Sequence, residues 1–328
     1  MNSVIEITDL KKSYKRKINE TSSIFRRNQY EEVHALDGIS FQIKAGERVG
    51  FVGLNGAGKS TTIKLLTGIL YPDAGEVKLF GRDSYKHRKR NAENIGVMFG
   101  QRSHLLWDLP FRNSLELLKK VYGVSDEAYK TVIEQADAFL EIKALLNVPI
   151  RSMSLGQRMK CEFTAITLHQ PKVFVLDEPT IGLDIMTKKQ IKNYLTFLNE
   201  ITGATVFLTT HDLSEIEKLC DRIIVLNEGR VLIDGSMDQV VHMIDATFAS
   251  IQTKEAFDKA VLKPFDTVSV LDEKAGTVKI RIQLPPEDAK GILAELMQQM
   301  GIAGVTVYAP SLEDMLFYLL QKAGNDYE

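Results

Sequence analysis

The sequence predicts an α/β protein whose ligand site lies at the carboxyl edge of a parallel sheet. Three short apolar runs carry this prediction: Val49–Val52, Val173–Leu176 and Val206–Leu208. Each run alternates with helical patterns, which is typical of parallel strands, and each ends near a polar cluster. Because open sheets of this kind bind ligands beyond the carboxyl ends of their strands, we expect these clusters to share one site.

Length and composition limit the classes of protein to consider. The chain has 328 residues, 44% of them hydrophobic, and a net charge of −2. That length suits about two domains, and the small charge gives no general attraction to nucleic acid. Cys161 and Cys220 form no C-x-x-C pair, which fits a reducing compartment. We find no signal peptide and no window of about 18 apolar residues, so any membrane role is expected to come through a partner.

A glycine-rich loop follows the first apolar run. It matches G-x-x-x-x-G-K-[ST], a pattern whose glycines let backbone N–H groups face phosphate oxygens. Lys59 is expected to reach the β- and γ-phosphates, and the Ser60 hydroxyl to bind Mg²⁺. The alternative is a glycine loop that arose by chance, which the preceding strand and following helix disfavour. The expected nucleotide contacts are Gly53, Asn55, Gly56, Ala57, Gly58, Lys59, Ser60 and Thr61.

Two carboxylates, Asp177 and Glu178, follow the second apolar run. Asp177 is well placed to hold Mg²⁺ through water, and Glu178 to orient or deprotonate an attacking water. The alternative is an acidic helix cap, because Pro179 and Thr180 come next. In combination with the phosphate loop, the pair favours a metal-dependent hydrolytic site.

Three further residues are weaker candidates. Gln101 and His211 each follow a strand of the same set; we expect Gln101 to contact the metal and both to assist catalysis. A solvated surface residue is the alternative for each. Tyr14 follows a short strand at Val4–Ile7 and lies among lysines, which suits stacking on a nucleobase. The alternative for Tyr14 is an ordinary surface aromatic.

Residues of about 102–165 are expected to form a helical subdomain inserted into the α/β core. Apolar residues from 115 to 140 recur at helical spacing, and Ser125 is a good N-cap for a helix. The segment ends in "SMSLGQRMK", where Ser154 and Gln157 stand at capping-box spacing. Gly156 lies in the first turn of that helix, and exposed backbone N–H groups at a helix start suit an anion.

After about residue 240 the pattern changes, and we expect a separate domain over 241–328. Residues 278, 280, 282 and 284 are apolar and alternate with polar ones, and Gly276 supplies the turn of a hairpin. A helix over about 286–300, a strand over 303–308 and a last helix over 311–322 follow. With an earlier strand and helix, these elements predict a small α+β domain of ferredoxin-like type.

Together, "GLNGAGKST", "SLGQR", "VFVLDEPTIGLD" and "LTTHD" resemble the ATP-binding subunit of ABC transporters over about residues 4–235. The resemblance implies a RecA-like P-loop ATPase core within residues 1–240, ATP and Mg²⁺ as ligands, and action as a dimer. It also implies that Ser154, Gly156 and Gln157 bind the γ-phosphate of ATP held by the opposite subunit. Asp184 matches the family's D-loop. Leu155 stands where the family usually has a second glycine, and Ile181-Gly182 replaces a more usual Ser-Ala.

The segment "MFGQRSHLLWDLP" and the ending "SLEDMLFYLL" resemble the exporter branch with separate permeases. This implies export of a drug, lipid, polysaccharide or similar substrate, powered from the cytoplasmic face of the cell membrane. Trp107 and its neighbours are then expected to contact the integral-membrane permease subunits. The basic insert from about Lys15 to Glu32 either touches lipid headgroups or a permease loop or is a solvated loop.

Two other classes of function compete with this interpretation. The first is an ABC ATPase without a transport role, such as a ribosome factor or a repair clamp. Ribosome factors typically carry two ATPase domains and clamps carry long coiled coils, whereas this sequence has one phosphate loop and no sustained heptads. The second is a small GTPase, which the absence of an N-K-x-D motif disfavours.

Overall fold

The computed structural model describes residues 3–17, 30–100, 103–210, 212–242, 246–253, 262, 264–274, 276–299, 302–308, 311–315 and 318. The chain divides into two compact units, Met1–Ser236 and Met237–Glu328. Among these residues, no helix combines the length and the apolar character needed to cross a membrane.

The first unit alternates strands and helices along the chain. Its described elements are β1 (Ser3–Lys17), β2 (Tyr30–Lys44), β3 (Arg48–Gly53), α1 (Lys59–Leu66), β4 (Ala74–Leu79), β5 (Arg82–Asp83), α2 (Arg88–Ala92), β6 (Ile95–Phe99), α3 (Phe111–Tyr122), α4 (Asp126–Leu140), α5 (Leu155–Thr167), β7 (Val173–Asp177), α6 (Ile185–Thr202), β8 (Thr205–Thr209), α7 (Leu213–Leu219), β9 (Arg222–Asn227) and β10 (Arg230–Ser236).

A six-stranded sheet forms the centre of this unit, in the order β10-β9-β3-β8-β7-β6. Every neighbouring pair is parallel except β10 and β9. The predicted runs lie in β3, β7 and β8, and residues 173–176 of β7 are all buried. Parallel strands covered on both faces are expected to be continuously apolar, which is why the sequence located them correctly.

A second sheet, in the order β2-β1-β4-β5, is antiparallel and was not predicted. It corrects two expectations. The strand expected at Val4–Ile7 continues to Lys17, so Tyr14 lies within β1 rather than after it. The two ends of the supposed basic insert pair with each other, from Lys15 opposite Glu32 to Lys17 opposite Tyr30. Register shifts between Ile7 and Lys11 interrupt the alternation of apolar residues, which makes the strand look short in sequence.

Within the described part of the chain between β6 and β7 lie three α-helices, α3, α4 and α5. Ser125 is the N-cap of α4, as predicted, and its hydroxyl accepts a hydrogen bond from the Ala128 N–H at 3.2 Å. Apolar residues of α4 such as Val132, Ala136 and Leu140 are buried, as their helical spacing indicates.

The second unit is built on an antiparallel sheet. Its described elements are α8 (Met237–His242), β11 (Thr247–Thr253), β12 (Val268–Lys274), β13 (Thr277–Ile282), α9 (Pro286–Gln299) and β14 (Ile302–Tyr308). The strand order is β12-β13-β11-β14. The predicted hairpin is confirmed, since β12 pairs antiparallel with β13. Residues 312–315 are helical, and most of the last predicted helix lies outside the described residues.

This unit has an apolar core of its own. Ile251, Ile280 and Ile282 of the sheet are fully buried, and they share a cluster with Leu293 and Leu296 of α9. The alternating residues of β13 therefore bury one face against the helix. The core accounts for the change of pattern that the sequence shows near residue 240.

Candidate functional site

The loop between β3 and α1 curls at the carboxyl edge of the parallel sheet. Gly56 and Gly58 have φ values of 86° and 108°, a conformation that L side chains rarely adopt. A Cβ at Gly58 would also lie 2.4 Å from the Ala35 carbonyl oxygen. The glycine pattern is thus required by both the conformation and the packing of the loop.

Lys59 lies inside this curl. Its Nζ donates hydrogen bonds to the carbonyl oxygens of Gly53 and Leu54, at 2.6 and 3.2 Å. Burial lowers the pKa of Lys59, while the charges of Glu178 and Asp177 act in the opposite direction. The sequence therefore folds to bring a largely buried cation and two carboxylates together, an arrangement that suits a phosphate accompanied by a divalent cation.

A hydroxyl–carboxylate cluster joins the phosphate loop to the sheet. The Ser60 Oγ donates to Asp177 Oδ2 at 3.4 Å, and the Thr209 Oγ1 donates to Asp177 Oδ1 at 2.6 Å. Hydroxyl and carboxylate oxygens are the hard ligands that Mg²⁺ prefers. The described residues hold no group of three or more His, Cys, Asp or Glu placed as metal ligands. The Ser60 hydroxyl and the Asp177 carboxylate are nevertheless enough for Mg²⁺, because this ion usually keeps few protein ligands and completes its coordination shell with phosphates and water.

Glu178 has an unusual backbone. Its φ is 49°, and non-glycine residues in this left-handed region concentrate at functional sites. Its N–H donates to the Thr209 carbonyl oxygen at 2.9 Å. The alternative of an acidic helix cap is wrong, because α6 begins only at Ile185 and its N-cap is Asp184.

Ser154, Gly156 and Asp184 form a second cluster. Ser154 and Gln157 make the predicted capping box: the Gln157 N–H donates to Ser154 Oγ at 3.2 Å and the Ser154 N–H to Gln157 Oε1 at 3.0 Å. A Cβ on Gly156 would lie 3.1 Å from Thr187 Oγ1 and 3.6 Å from Asp184 Oδ2. The first turn of α5 thus packs closely against the start of α6.

The remaining predicted residues are more scattered or undescribed. Tyr14 is exposed, and the Lys12 ammonium lies 6.0 Å from the centroid of its ring. Trp107 is 49% exposed, with the Arg158 guanidinium 5.5 Å from its ring. Asn55 is exposed, Ala57 is buried and Thr61 is half-buried. Gln101 and His211 lie outside the described residues.

Sequence reasoning missed Thr209. This residue is fully buried at the end of β8 and bonds the Asp177 carboxylate through its side chain. The available signal was the pair of threonines in "LTTHD", since a hydroxyl at the end of a buried strand needs a hydrogen-bond partner.

Comparison with known proteins agrees with this geometry. A family model described as "ABC transporter" matches residues 36–181. The uncharacterized ABC transporter ATP-binding protein YhcH of Bacillus subtilis (strain 168) is 32% identical over 282 residues, which cover 85% of this chain and 88% of that relative. The bacitracin transport ATP-binding protein BcrA of Bacillus licheniformis is 28% identical over 98% of both chains.

A solved structure agrees as well. It is described as the dimeric post-hydrolysis state of an ATP-binding cassette bound to ADP and Pi. It superposes with a TM-score of 0.60 at 26% identity, covering 71% of this chain and 98% of that one. The phosphate loop, the carboxylates and the sequence relationships lead to one assignment, which is that this chain belongs to the ABC transporter family as one of its ATP-binding proteins.

Proposed function

We propose that this chain hydrolyses ATP with Mg²⁺ at the carboxyl edge of its parallel sheet, and that it does so to power export. One observation carries the proposal. Ser60, Asp177 and Thr209 are joined by hydrogen bonds of 3.4 and 2.6 Å, although they come from three separate parts of the chain. This cluster unites the phosphate loop with β7, the strand that ends at Asp177 directly before Glu178.

Each residue has a specific role in this proposal. Lys59 binds β- and γ-phosphate oxygens, assisted by the N–H groups of residues 53–61. Ser60 and Asp177 would hold Mg²⁺, which when bound would neutralise phosphate charge. Glu178 accepts a proton from the attacking water. His211 and Gln101 assist as first expected, and Tyr14 stacks on the base.

We further propose that the site is completed by a second copy of the chain. Ser154, Gly156 and Gln157 of one subunit would face the γ-phosphate bound by the other, with Asp184 beside them. The N-terminus of α5 suits an anion because its backbone N–H groups point outward along the helix axis. The relative of known structure was solved as a dimer, which supports this assembly.

The finer architecture is also proposed. The position of α3, α4 and α5 between β6 and β7 supports a helical subdomain inserted over about 102–165. The strand order β12-β13-β11-β14 supports a ferredoxin-like C-terminal domain. The boundary near residue 240 is supported by the division of the chain after Ser236.

The partners would be integral-membrane permeases at the cytoplasmic face of the membrane, with no nucleic acid. A relative that is 30% identical over 87% of this chain is named for Nod factor export, which supports an exported rather than an imported substrate. The exposed ring of Trp107 supports this residue as part of the permease contact, because exposed aromatic side chains are common anchors of interfaces.

The test is Glu178→Gln, which keeps the size of the side chain and removes the proton acceptor. Turnover should fall by at least ~10², in line with general-base contributions, while ATP affinity stays within a few-fold. Phosphate release and binding of a fluorescent ATP analogue measure the two quantities. Lys59→Ala is the matched comparison and should lose binding. Near-normal turnover of Glu178→Gln would place the base elsewhere.

A further inference from the structure

Glu215 of α7 joins the loops that follow two neighbouring strands of the sheet. Its Oε2 accepts a hydrogen bond from the Thr180 hydroxyl at 2.6 Å and another from the Thr210 hydroxyl at 3.1 Å. Thr180 follows β7 by three residues, and Thr210 directly follows β8. A single carboxylate oxygen therefore connects both loops at the edge where the catalytic groups lie.

Lys188 of α6 connects the same carboxylate to a third element. Its Nζ lies 3.0 Å from Glu215 Oε1 and donates to Asp212 Oδ2 at 2.8 Å. Asp212 in turn donates its N–H to Thr210 Oγ1 at 3.0 Å. The hydrogen bond to Asp212 raises the pKa of Lys188, and the same bond lowers the pKa of Asp212. Lys188 and Asp212 therefore form a charged pair at neutral pH.

The backbone on either side of Glu178 is held by two contacts, one from Thr209 and one from Glu215 of this network. On one side, the Glu178 N–H is held by the Thr209 carbonyl oxygen at 2.9 Å. On the other side, Thr180 is held by Glu215 at 2.6 Å. The left-handed backbone of Glu178, with φ 49°, persists only where its surroundings hold it in place. A general base must stay within hydrogen-bond reach of the proton that it removes.

We propose that Glu215 is a positioning residue for hydrolysis, that it holds the Glu178 loop through Thr180 and Thr210, and that Lys188 orients its carboxylate. This inference rests on the proposed role of Glu178 as the base. Glu215 touches neither phosphate nor the attacking water in this scheme. Its effect should therefore fall on turnover and leave nucleotide binding nearly unchanged.

The first variant is Glu215→Gln in the full chain. The glutamine amide keeps one oxygen for the two threonines, but its NH₂ group then faces the Lys188 ammonium, donor against donor. We expect kcat to fall about 10-fold, as for small displacements of a reacting group, with KM for ATP and the unfolding midpoint close to those of the wild type. A fluorescent ATP analogue should bind Glu215→Gln within about 2-fold of the wild type.

The second variant adds Lys188→Met, which removes the ammonium and keeps an apolar stem. In the double variant the glutamine NH₂ group no longer faces an ammonium. Its kcat should therefore recover to within about 3-fold of the wild-type value, so the effects of the two substitutions on kcat are not additive. Lys189→Met is the matched control. Lys189 is exposed on the same helix, and no ion pair joins it to the described carboxylates. Its kcat should be unchanged.

Three results would overturn the inference: a kcat for Glu215→Gln within 2-fold of the wild type, a double variant worse than either single one, or a fall in nucleotide affinity that matches the fall in kcat. Glu178→Gln separates this failure from that of the proposed function. Normal turnover of Glu178→Gln refutes the base assignment itself. Lost turnover there, with unaffected Glu215→Gln, refutes only the positioning role.

Discussion

The side chain of Thr209 contacts both acidic residues at the end of β7. Its Oγ1 donates to Asp177 Oδ1 at 2.6 Å, and it lies 3.2 Å from the backbone nitrogen of Glu178. Thr209 is fully buried, so water cannot replace these contacts. One hydroxyl thereby fixes the orientation of the proposed metal ligand and the backbone of the proposed base.

Thr209→Val should therefore remove the hydrogen bonds of this side chain while keeping its shape. Valine fills the same space but leaves Asp177 Oδ1 without the hydroxyl donor of Thr209, which should lower the free energy of unfolding by about 1–3 kcal/mol. The Mg²⁺ concentration for half-maximal hydrolysis should also rise. Urea unfolding and a Mg²⁺ titration of phosphate release measure these effects. Thr209→Ser keeps the hydroxyl and is the control; equal behaviour of both variants would count against the interaction.

The sequence predicted the parts of the site that depend on local pattern. The phosphate loop and the buried runs of β3, β7 and β8 are contiguous, and each has a distinctive composition. The antiparallel sheet was missed because β1 carries five Lys and Arg residues between positions 11 and 17 and has an irregular register near Asp9, where φ is 44°. Strands of this kind lack the alternation that identifies half-buried strands.

Polar contacts between residues far apart in the chain could not be predicted from the sequence either. Glu215 stands in a helix whose pattern, "LSEIEKL", resembles any amphipathic surface helix. Its bonds reach Thr180, 35 positions away in the chain. The loops that contain Thr180 and Thr210 are neighbours only because β7 and β8 pair in parallel. The sequence pattern of a single segment does not predict which strands pair.

The pair His104–Glu162 predicts a pH dependence of stability. Glu162 of α5 is 3% exposed, and its Oε2 lies 3.6 Å from His104 Nδ1. The nearby Glu162 carboxylate raises the pKa of His104 above 6.5, although burial opposes it. A raised folded-state pKa contributes stability that is fully present below the unfolded pKa and is lost as pH rises through the folded value.

His104→Gln should accordingly destabilise the protein more at pH 6 than at pH 8.5. Urea midpoints at the two pH values give the comparison, and His87→Gln, on an exposed residue, is the control. A difference between wild type and His104→Gln that is the same at both pH values would show that the pair contributes packing and no protonation-linked stability.

The C-terminal unit should be dispensable for nucleotide binding. The described phosphate-site residues all precede Ser236, and the cores of the two units consist of different residues. A chain truncated after Ser236 should bind Mg-ATP within about 3-fold of the full chain, because compact units with their own core generally fold alone. Circular dichroism establishes that the shortened chain is folded. Lost binding in a folded truncation would assign this unit a direct role.

Gly156 provides the sharpest test of the proposed dimer. If the first turn of α5 faces the γ-phosphate of a partner's ATP, a carboxylate there should repel it and prevent closure. In a Glu178→Gln background, where hydrolysis does not undo closure, ATP should convert monomers to dimers on a sizing column. Adding Gly156→Asp should abolish that shift, while the fluorescent nucleotide bound at Lys59 and Ser60 should remain.

The packing of Gly156 requires a control, because a Cβ there would lie 3.1 Å from Thr187 Oγ1 and a carboxylate would approach Asp184. Gly156→Ala introduces the same Cβ without charge. We expect the alanine variant to dimerise with ATP, and only the aspartate variant to remain monomeric. Failure of both would attribute the loss to contacts within one chain. If the Gly156→Asp variant still dimerises with ATP, the first turn of α5 does not face a phosphate of the partner. If the variant loses nucleotide as a monomer, this turn acts on the ATP site of its own subunit.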